Sequence, residues 1–263
     1  MGSSERLDRT LVARGLARSR SQAQSMIAAG AVQVDGTVVR RPAEGVPPGA
    51  TLTADADPYV SRAAHKLLGA LDDLGLTAAG RALDAGSSTG GFTQVLLERG
   101  CGTVYAVDVG TDQLAPLVRQ DPRVVVQEQT NLRDLDLSHV EGQPVDLVVA
   151  DVSFISLTLL VGPLTAVTRR DGWLLLMVKP QFEVGRELLG KGGVVRSSAQ
   201  RRQAVETVVA AAADLGWHPQ QLVPSRLPGP AGNVEFFVLL TRARPEGVAP
   251  LVVGTDTYAV PGE

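Results

Sequence analysis

From residue 81 to residue 178, apolar runs of strand length alternate with stretches of helical periodicity, and this alternation constrains the fold more tightly than any other feature. The runs fall near residues 81–85, 103–108, 123–127, 145–150 and 172–178, and the helical stretches near 91–100, 112–120, 157–168 and 199–215. Strand, helix, strand in series predicts a doubly wound parallel α/β sheet, because parallel neighbours need a long crossover whose helix then covers the sheet. The end of the chain breaks the pattern. Residues 217–224 and 234–241 are strand-like runs joined by a loop alone, which predicts an antiparallel last strand. A helix precedes the sheet at Ser61-Arg-Ala-Ala-His-Lys-Leu-Leu-Gly-Ala-Leu71, with Ala64, Leu67, Leu68 and Leu71 on one face.

Ahead of this region the charge balance changes sign. Residues 1–41 hold seven arginines (6, 9, 14, 18, 20, 40, 41) against Glu5, Asp8 and Asp35, a formal +4, while the whole chain carries −3, so the remainder carries −7. That asymmetry predicts an anionic partner held at one end. Leu7, Leu11 and Leu16, then Ala23, Met26 and Ile27, recur at helical spacing, with Gly15 closing one short helix and Ser19 or Ser21 placed to cap the next. Residues 31–39 alternate as a strand that turns at Asp35-Gly36 and returns as a hairpin. Pro42 to Pro58 carries four prolines, three acids and no base, the composition of a linker, with one strand predicted at residues 50–53. Three segments are therefore expected: a small α+β domain with its linker over 1–58, the sheet domain over 59–242, and a loosely held tail over 243–263.

A single cysteine, Cys101, excludes an internal disulfide framework and a cysteine-based zinc cage. The longest apolar stretches, residues 157–167 and 173–178, fall short of the roughly 18 residues a membrane span needs. A cytoplasmic protein without membrane attachment or structural metal is expected.

The first strand runs into a glycine turn that opens a helix, Ala82-Leu-Asp-Ala-Gly-Ser-Ser-Thr-Gly-Gly-Phe92. In a doubly wound sheet this is where ligands sit. Glycines at 86, 90 and 91 do not match the G-x-G-x-x-G dinucleotide pattern. Gly86-Ser-Ser-Thr-Gly90 does satisfy the G-x-S-x-G nucleophile elbow, with Ser88 as nucleophile, yet a hydrolase of that kind has several strands before its elbow and a later histidine at a strand end. The third reading is S-adenosylmethionine. Asp84 would meet the methionine amino group, the turn (Gly86, Gly90, Gly91, Phe92) would admit the methionine moiety, Asp108 would accept both ribose hydroxyls, and Asn131 would meet the adenine edge. Pyrophosphate would favour donors and a helix N-terminus instead of two acids.

Only three of the 25 Lys and Arg residues are lysines: Lys66, Lys179 and Lys191. Lys179 and Asp151 each follow a strand and point at the same crevice, Lys66 lies on the helix before the sheet, and Glu235 opens the last strand. Two amines and two carboxylates then converge. A ribose 2′-hydroxyl needs a base for methyl transfer, and an amine can lose its proton where a guanidinium cannot. Asp151-Val-Ser-Phe154 resembles the [DNS]-P-P-[YF] signature of amino-group methyltransferases but lacks both prolines, which leaves RNA N-methylation the weaker alternative.

Arg6-Leu-Asp, Ser19-Arg-Ser-Gln-Ala, Ile27-Ala-Ala-Gly-Ala-Val and Val34-Asp-Gly resemble the S4 RNA-binding module. The remainder resembles the TlyA family, also labelled haemolysin A, of 2′-O-ribose ribosomal RNA methyltransferases with an FtsJ-like, Rossmann-like catalytic domain. The motifs are Ser61-Arg-Ala-Ala-His-Lys66, Leu83-Asp-Ala-Gly-Ser-Ser-Thr-Gly-Gly-Phe-Thr93, Ala150-Asp-Val-Ser-Phe-Ile-Ser156, Val178-Lys-Pro-Gln-Phe-Glu-Val-Gly185 and Pro228-Gly-Pro-Ala-Gly-Asn-Val-Glu235. The resemblance implies a catalytic tetrad of Lys66, Asp151, Lys179 and Glu235 with Lys179 as base, S-adenosylmethionine as cofactor, and a ribosomal RNA or ribosomal subunit, with a cytidine ribose as target, docked through Arg6, Arg18, Arg20 and Arg41. The haemolysin label supplies a membrane-lytic alternative. The family's Arg-x-Trp-Val linker tetrapeptide reads Asp57-Pro-Tyr-Val60 here.

Overall fold

A computed structural model describes residues 4–17, 19–55, 57–185, 187, 189–229, 231–242 and 258, and the chain divides into two units, Met1–Pro58 and Tyr59–Glu263. The first unit contains β1 (Glu5–Arg6), α1 (Leu7–Ala13), α2 (Arg20–Ala29), β2 (Val32–Val34), β3 (Thr37–Val38), β4 (Gly45–Val46) and β5 (Leu52–Ala54). Ser19 caps α2 by accepting the Gln22 N–H, and Gly30 ends it in the left-handed conformation. β2 and β3 form the expected hairpin across Asp35-Gly36, both at positive φ, and β5 lies antiparallel on the other edge of β2. The two-residue β1–β4 pairing is too short for any periodicity to announce. Leu7, Leu11, Ala23, Ile27 and Val32 are fully buried in one core.

The second unit runs α3 (Ala63–Leu74), β6 (Gly80–Ala85), α4 (Gly91–Arg99), β7 (Cys101–Val107), α5 (Pro116–Arg119), β8 (Val124–Gln127), β9 (Val145–Ala150), α6 (Val161–Ala166), β10 (Thr168–Val178), α7 (Pro180–Glu183), α8 (Ser198–Ala213), β11 (His218–Pro224) and β12 (Phe236–Thr241). The sheet order is β11-β12-β10-β9-β6-β7-β8. Strands β8, β7, β6, β9 and β10 are parallel, whereas β12 runs antiparallel to both β10 and β11. Pleating sends alternate residues of β10 to opposite cores: Leu174, Leu176 and Val178 pack with α6 and α8, and Leu175 and Met177 with α3 and α4. Burial of each leucine contributes roughly 1.5–3 kcal/mol.

Two helices are shorter than their periodicity predicts. Asp112, Gln113 and Leu114 spend their N–H groups on the Glu128 carboxylate, so α5 starts only at Pro116. Residues 157–159 form a 3₁₀ turn capped by Ser156, separate from α6. The tail lies outside the described residues except for Tyr258, which is buried against Phe236 with its carbonyl accepting from Arg201.

Candidate active site

Chain order reverses beside β6: β7 and β8 are laid down on one side of it, and β9 and β10 on the other. The crevice at such a switch point lies past the carboxyl ends of the strands. Ala85 pairs with Ala150 at those ends, which sets Gly86 beside Asp151. Gly86 has φ 84°, and a Cβ there would stand 2.7 Å from the Asp151 carbonyl oxygen, so only glycine fits. The turn is held from below by the Val107 carbonyl, which accepts from Gly86 and Ser87 N–H at 2.8 and 3.1 Å. At the end of β7, Asp108 accepts from Ser88 N–H at 2.9 Å and Gly110 N–H at 2.7 Å. Each of its oxygens keeps a further lone pair for a ligand hydroxyl.

Two cavities share Gly86, Ser88, Asp151 and Ser153. One, of about 500 Å³, is lined by Asp108, Asn131 and the apolar side chains of Leu132, Val152, Ile155 and Leu160. The other, of about 270 Å³, is lined by Ser61, Lys66, Gly91, Phe92 and Lys179. Lys179 Nζ lies 2.5 Å from Asp151 Oδ1 and donates to Ser153 Oγ at 2.9 Å. Lys66 Nζ donates to Glu235 Oε2 at 2.5 Å, and both side chains are buried. Glu235 is further held by Gln181 Nε2 at 3.5 Å. A Cβ on Gly229 would come 2.6 Å from Glu235 Oε1, so the backbone at Gly229 closes over this carboxylate. Lys66, Asp151 and Lys179 therefore face one cavity, and Glu235 reaches it through Lys66.

Asp84 and Gly90, expected to hold the cofactor, line neither of these two cavities. Asp84 lies one residue short of the end of β6 and is fully buried. It accepts from Thr93 Oγ1 at 2.6 Å, and burial pushes its carboxyl up to about 7. Gly90 caps α4 at φ 91° against Leu114 and Val118. Ser88 has no histidine at hand; its hydroxyl meets Gln113, while His139 binds Asp136 in a distant 3₁₀ turn. The nucleophile-elbow chemistry is absent from the described residues. Ser153 and Gln181 escaped sequence reasoning because short polar residues in loops carry no periodic signal, although both fall inside the Ala150–Ser156 and Val178–Gly185 motifs. Phe154, 91 % exposed at φ 65°, lines the larger cavity and packs on Phe182 with ring centres 5.2 Å apart.

In the first unit, Arg6 and Arg20 share one buried carboxylate. Asp8 accepts from Arg6 at 3.0 Å, from Arg20 Nε at 2.9 Å and from Gln24 at 3.0 Å, and these donors, Arg6 foremost, hold it well below the usual carboxylate range. Arg41 is exposed. Arg18 lies outside the described residues. Tyr59 and Val60, from the altered tetrapeptide, are bound by Glu98 and Gln94 of α4.

The donor set fits S-adenosylmethionine: a strand-end carboxylate for a diol, apolar walls for a purine, a glycine turn for close approach, and a carboxylate at the cavity junction for the cationic end. Fold and site together define an S-adenosylmethionine-dependent methyltransferase. The FtsJ-like methyltransferase family model matches residues 59–242, and the S4 domain matches residues 5–52. The chain is 51 % identical, over 89 % of either chain, to the 16S/23S rRNA (cytidine-2′-O)-methyltransferase TlyA of Mycobacterium tuberculosis strain H37Rv. It is 37 % identical to the 23S rRNA (cytidine-2′-O)-methyltransferase TlyA of Campylobacter jejuni over 68 % of this chain and 69 % of that one. A solved structure from Streptococcus thermophilus, described as a hemolysin, superposes with a TM-score of 0.75 at 37 % identity, covering 97 % of this chain and 94 % of that one. The chain belongs to the TlyA family of FtsJ-like methyltransferases with an N-terminal S4 domain. Among the described residues no helix is long and apolar enough to cross a membrane.

Proposed function

We propose that this chain methylates the 2′-hydroxyl of a cytidine ribose in ribosomal RNA, in the cytoplasm, with residues 59–242 as the catalytic domain, residues 1–58 as the RNA-docking domain and its linker, and residues 243–263 as an appended tail. The observation that carries the reading is Lys179, whose amine sits between Asp151 and Ser153 where the two cavities meet. S-adenosylmethionine supplies the methyl group, carried on a sulfonium that makes its carbon electrophilic. Gly86, Asp108, Asn131 and Asp151, with Gly91 and Phe92, hold it, while Asp84 and Gly90 shape the turn from beneath.

In its neutral form, after it has given up one proton, the Lys179 amine accepts the proton of the 2′-hydroxyl as that oxygen takes the methyl group, and Asp151 stabilises the ammonium that results. Ser153 fixes the direction of the amine. The Lys66–Glu235 pair walls the smaller cavity and excludes water from the reacting oxygen. General base catalysis supplies about 10²- to 10⁴-fold, and alignment of two reactants about 7 to 11 kcal/mol, so positioning is the larger share. Arg6, Arg18, Arg20 and Arg41 contact RNA phosphates.

The deciding experiment incubates ribosomal subunits lacking ribose methylation with the enzyme and labelled S-adenosylmethionine, then maps 2′-O-methyl groups. Incorporation at a cytidine supports the reading. No incorporation into either subunit, or full activity in Lys179→Ala, overturns it.

A further inference from the structure

Lys179 and both of its polar partners sit at β-strand ends or on the loop 151–157, and that loop is secured at its far end by Glu183, which lines neither cavity. The loop begins where Asp151 N–H donates to the Ala85 carbonyl at 3.0 Å. It carries Ser153, which binds Lys179, and Phe154, held at φ 65° with its ring almost wholly exposed. It ends on Glu183, the last residue of α7. There Oε1 accepts from Leu157 N–H at 2.8 Å and Oε2 accepts from Ser156 Oγ at 2.6 Å. Phe182, the preceding residue, packs on the Phe154 ring.

We propose that Glu183 is a positioning residue, which clamps the end of loop 151–157 so that Ser153 and Phe154 are presented to the reacting atoms. This deepens the methyltransferase reading and rests on it. The carboxyl is partly buried and meets a backbone N–H and a hydroxyl instead of a cation, and desolvation raises it above its ordinary value. A partly buried acid whose two partners here are neutral donors serves geometry. α7 follows Lys179 directly, so the clamp joins the segment that supplies the amine to the segment that supplies its two partners. With one end of the loop tied at Ala85 and the other at Glu183, a left-handed residue can persist at Phe154 between them.

The test compares Glu183→Ala and Glu183→Gln with the wild type. Glutamine keeps an acceptor for Leu157 N–H and offers a donor to Ser156 Oγ. Glu183→Ala is expected to lower kcat about 10- to 100-fold, as misplacement by about 1 Å can, to raise KM for the ribosomal substrate, and to accelerate amide exchange at Leu157. Binding of S-adenosylhomocysteine, which Asp108 and Asn131 would dominate, is expected to change less than threefold, and Glu183→Gln is expected to restore kcat and Leu157 protection. Equal kcat, KM and Leu157 exchange in Glu183→Ala and wild type overturn the clamp. Failure of Glu183→Gln to restore them overturns it as well. Should Glu183→Ala not fold, Ser156→Ala removes one of the two bonds and is expected to show part of the same kcat loss; an unchanged kcat overturns the proposal. Amide exchange reads the clamp without turnover, so a wild type inactive on ribosomes with Leu157 released in the alanine variant refutes the reaction and leaves the clamp standing.

Discussion

Lys66 and Glu235, 169 residues apart in sequence, form an ion pair of 2.5 Å from which water is almost wholly excluded. The pair ties α3 to the start of β12, and thus the helix that precedes the sheet to its antiparallel strand. Removing one partner strands the other charge in a low-dielectric site, at a cost of about 3–5 kcal/mol, whereas removing both costs far less. Lys66→Met and Glu235→Leu are each expected to lower Tm markedly, and the double variant to recover much of the loss. A double-mutant cycle by denaturant melts checks this; additive losses would contradict it.

Lys179→Arg keeps the positive charge and fits a similar volume, yet a guanidinium does not give up its proton in a protein. The variant is expected to keep S-adenosylhomocysteine affinity and to lose methylation by about 10²- to 10⁴-fold. Single-turnover methylation of ribosomal subunits measures it. An arginine variant as active as wild type would remove Lys179 from the role of base.

Much of this site was legible because its residues stand at places that topology marks. Gly86, Asp108, Asp151 and Lys179 each follow the last residue of a parallel strand, and strand ends are readable from apolar runs. Lys66 and Glu235 stand out by residue type, one of three lysines and the acid opening the last strand, although their pairing is a tertiary fact. Asp84 is the exception: it precedes Ala85, the last residue of β6, so the acid stays inside the sheet. The β1–β4 pair, the Glu128 cap that shortens α5 and the Glu183 clamp depend on partners 14 to 41 residues away, beyond the reach of any local periodicity. The two domains were readable because the S4 segment and the sheet domain differ in charge and in hydrophobic period.

Asp84 makes the second unit sensitive to pH. Its carboxyl titrates near 7 in the folded chain against an ordinary 3.8, so the folded state keeps a proton that the unfolded chain releases. The associated stability is fully present below the unfolded value and is lost as pH rises through about 7. Asp84→Asn keeps an acceptor for Thr93 and removes the ionisation. Its Tm relative to wild type is therefore expected to rise between pH 4 and about pH 7 and to level off above that. A difference independent of pH would show that Asp84 stays ionised in the fold.

Asp8 and Arg41 offer opposite handles on RNA binding. Arg41 is exposed, so Arg41→Ala is expected to weaken RNA binding about equally across sequences and to reduce the slope of log K against log salt by about 1. Asp8→Asn adds one net positive charge, and charge counting alone predicts tighter binding. Yet Asp8 is the carboxylate that aligns Arg6 and Arg20, and its depressed pKa means that its stabilisation is present above the unfolded carboxyl value and is lost as pH falls. Orientation is expected to outweigh charge: Asp8→Asn should bind ribosomal RNA more weakly than wild type at neutral pH and lower Tm, the Tm difference shrinking once pH falls below the unfolded carboxyl value, where the unfolded wild-type chain takes up the proton first. Filter binding across a salt series, with melts from pH 3 to pH 7, measures both effects. Tighter binding by Asp8→Asn would assign Arg6 and Arg20 to bulk charge attraction instead of an aligned phosphate contact.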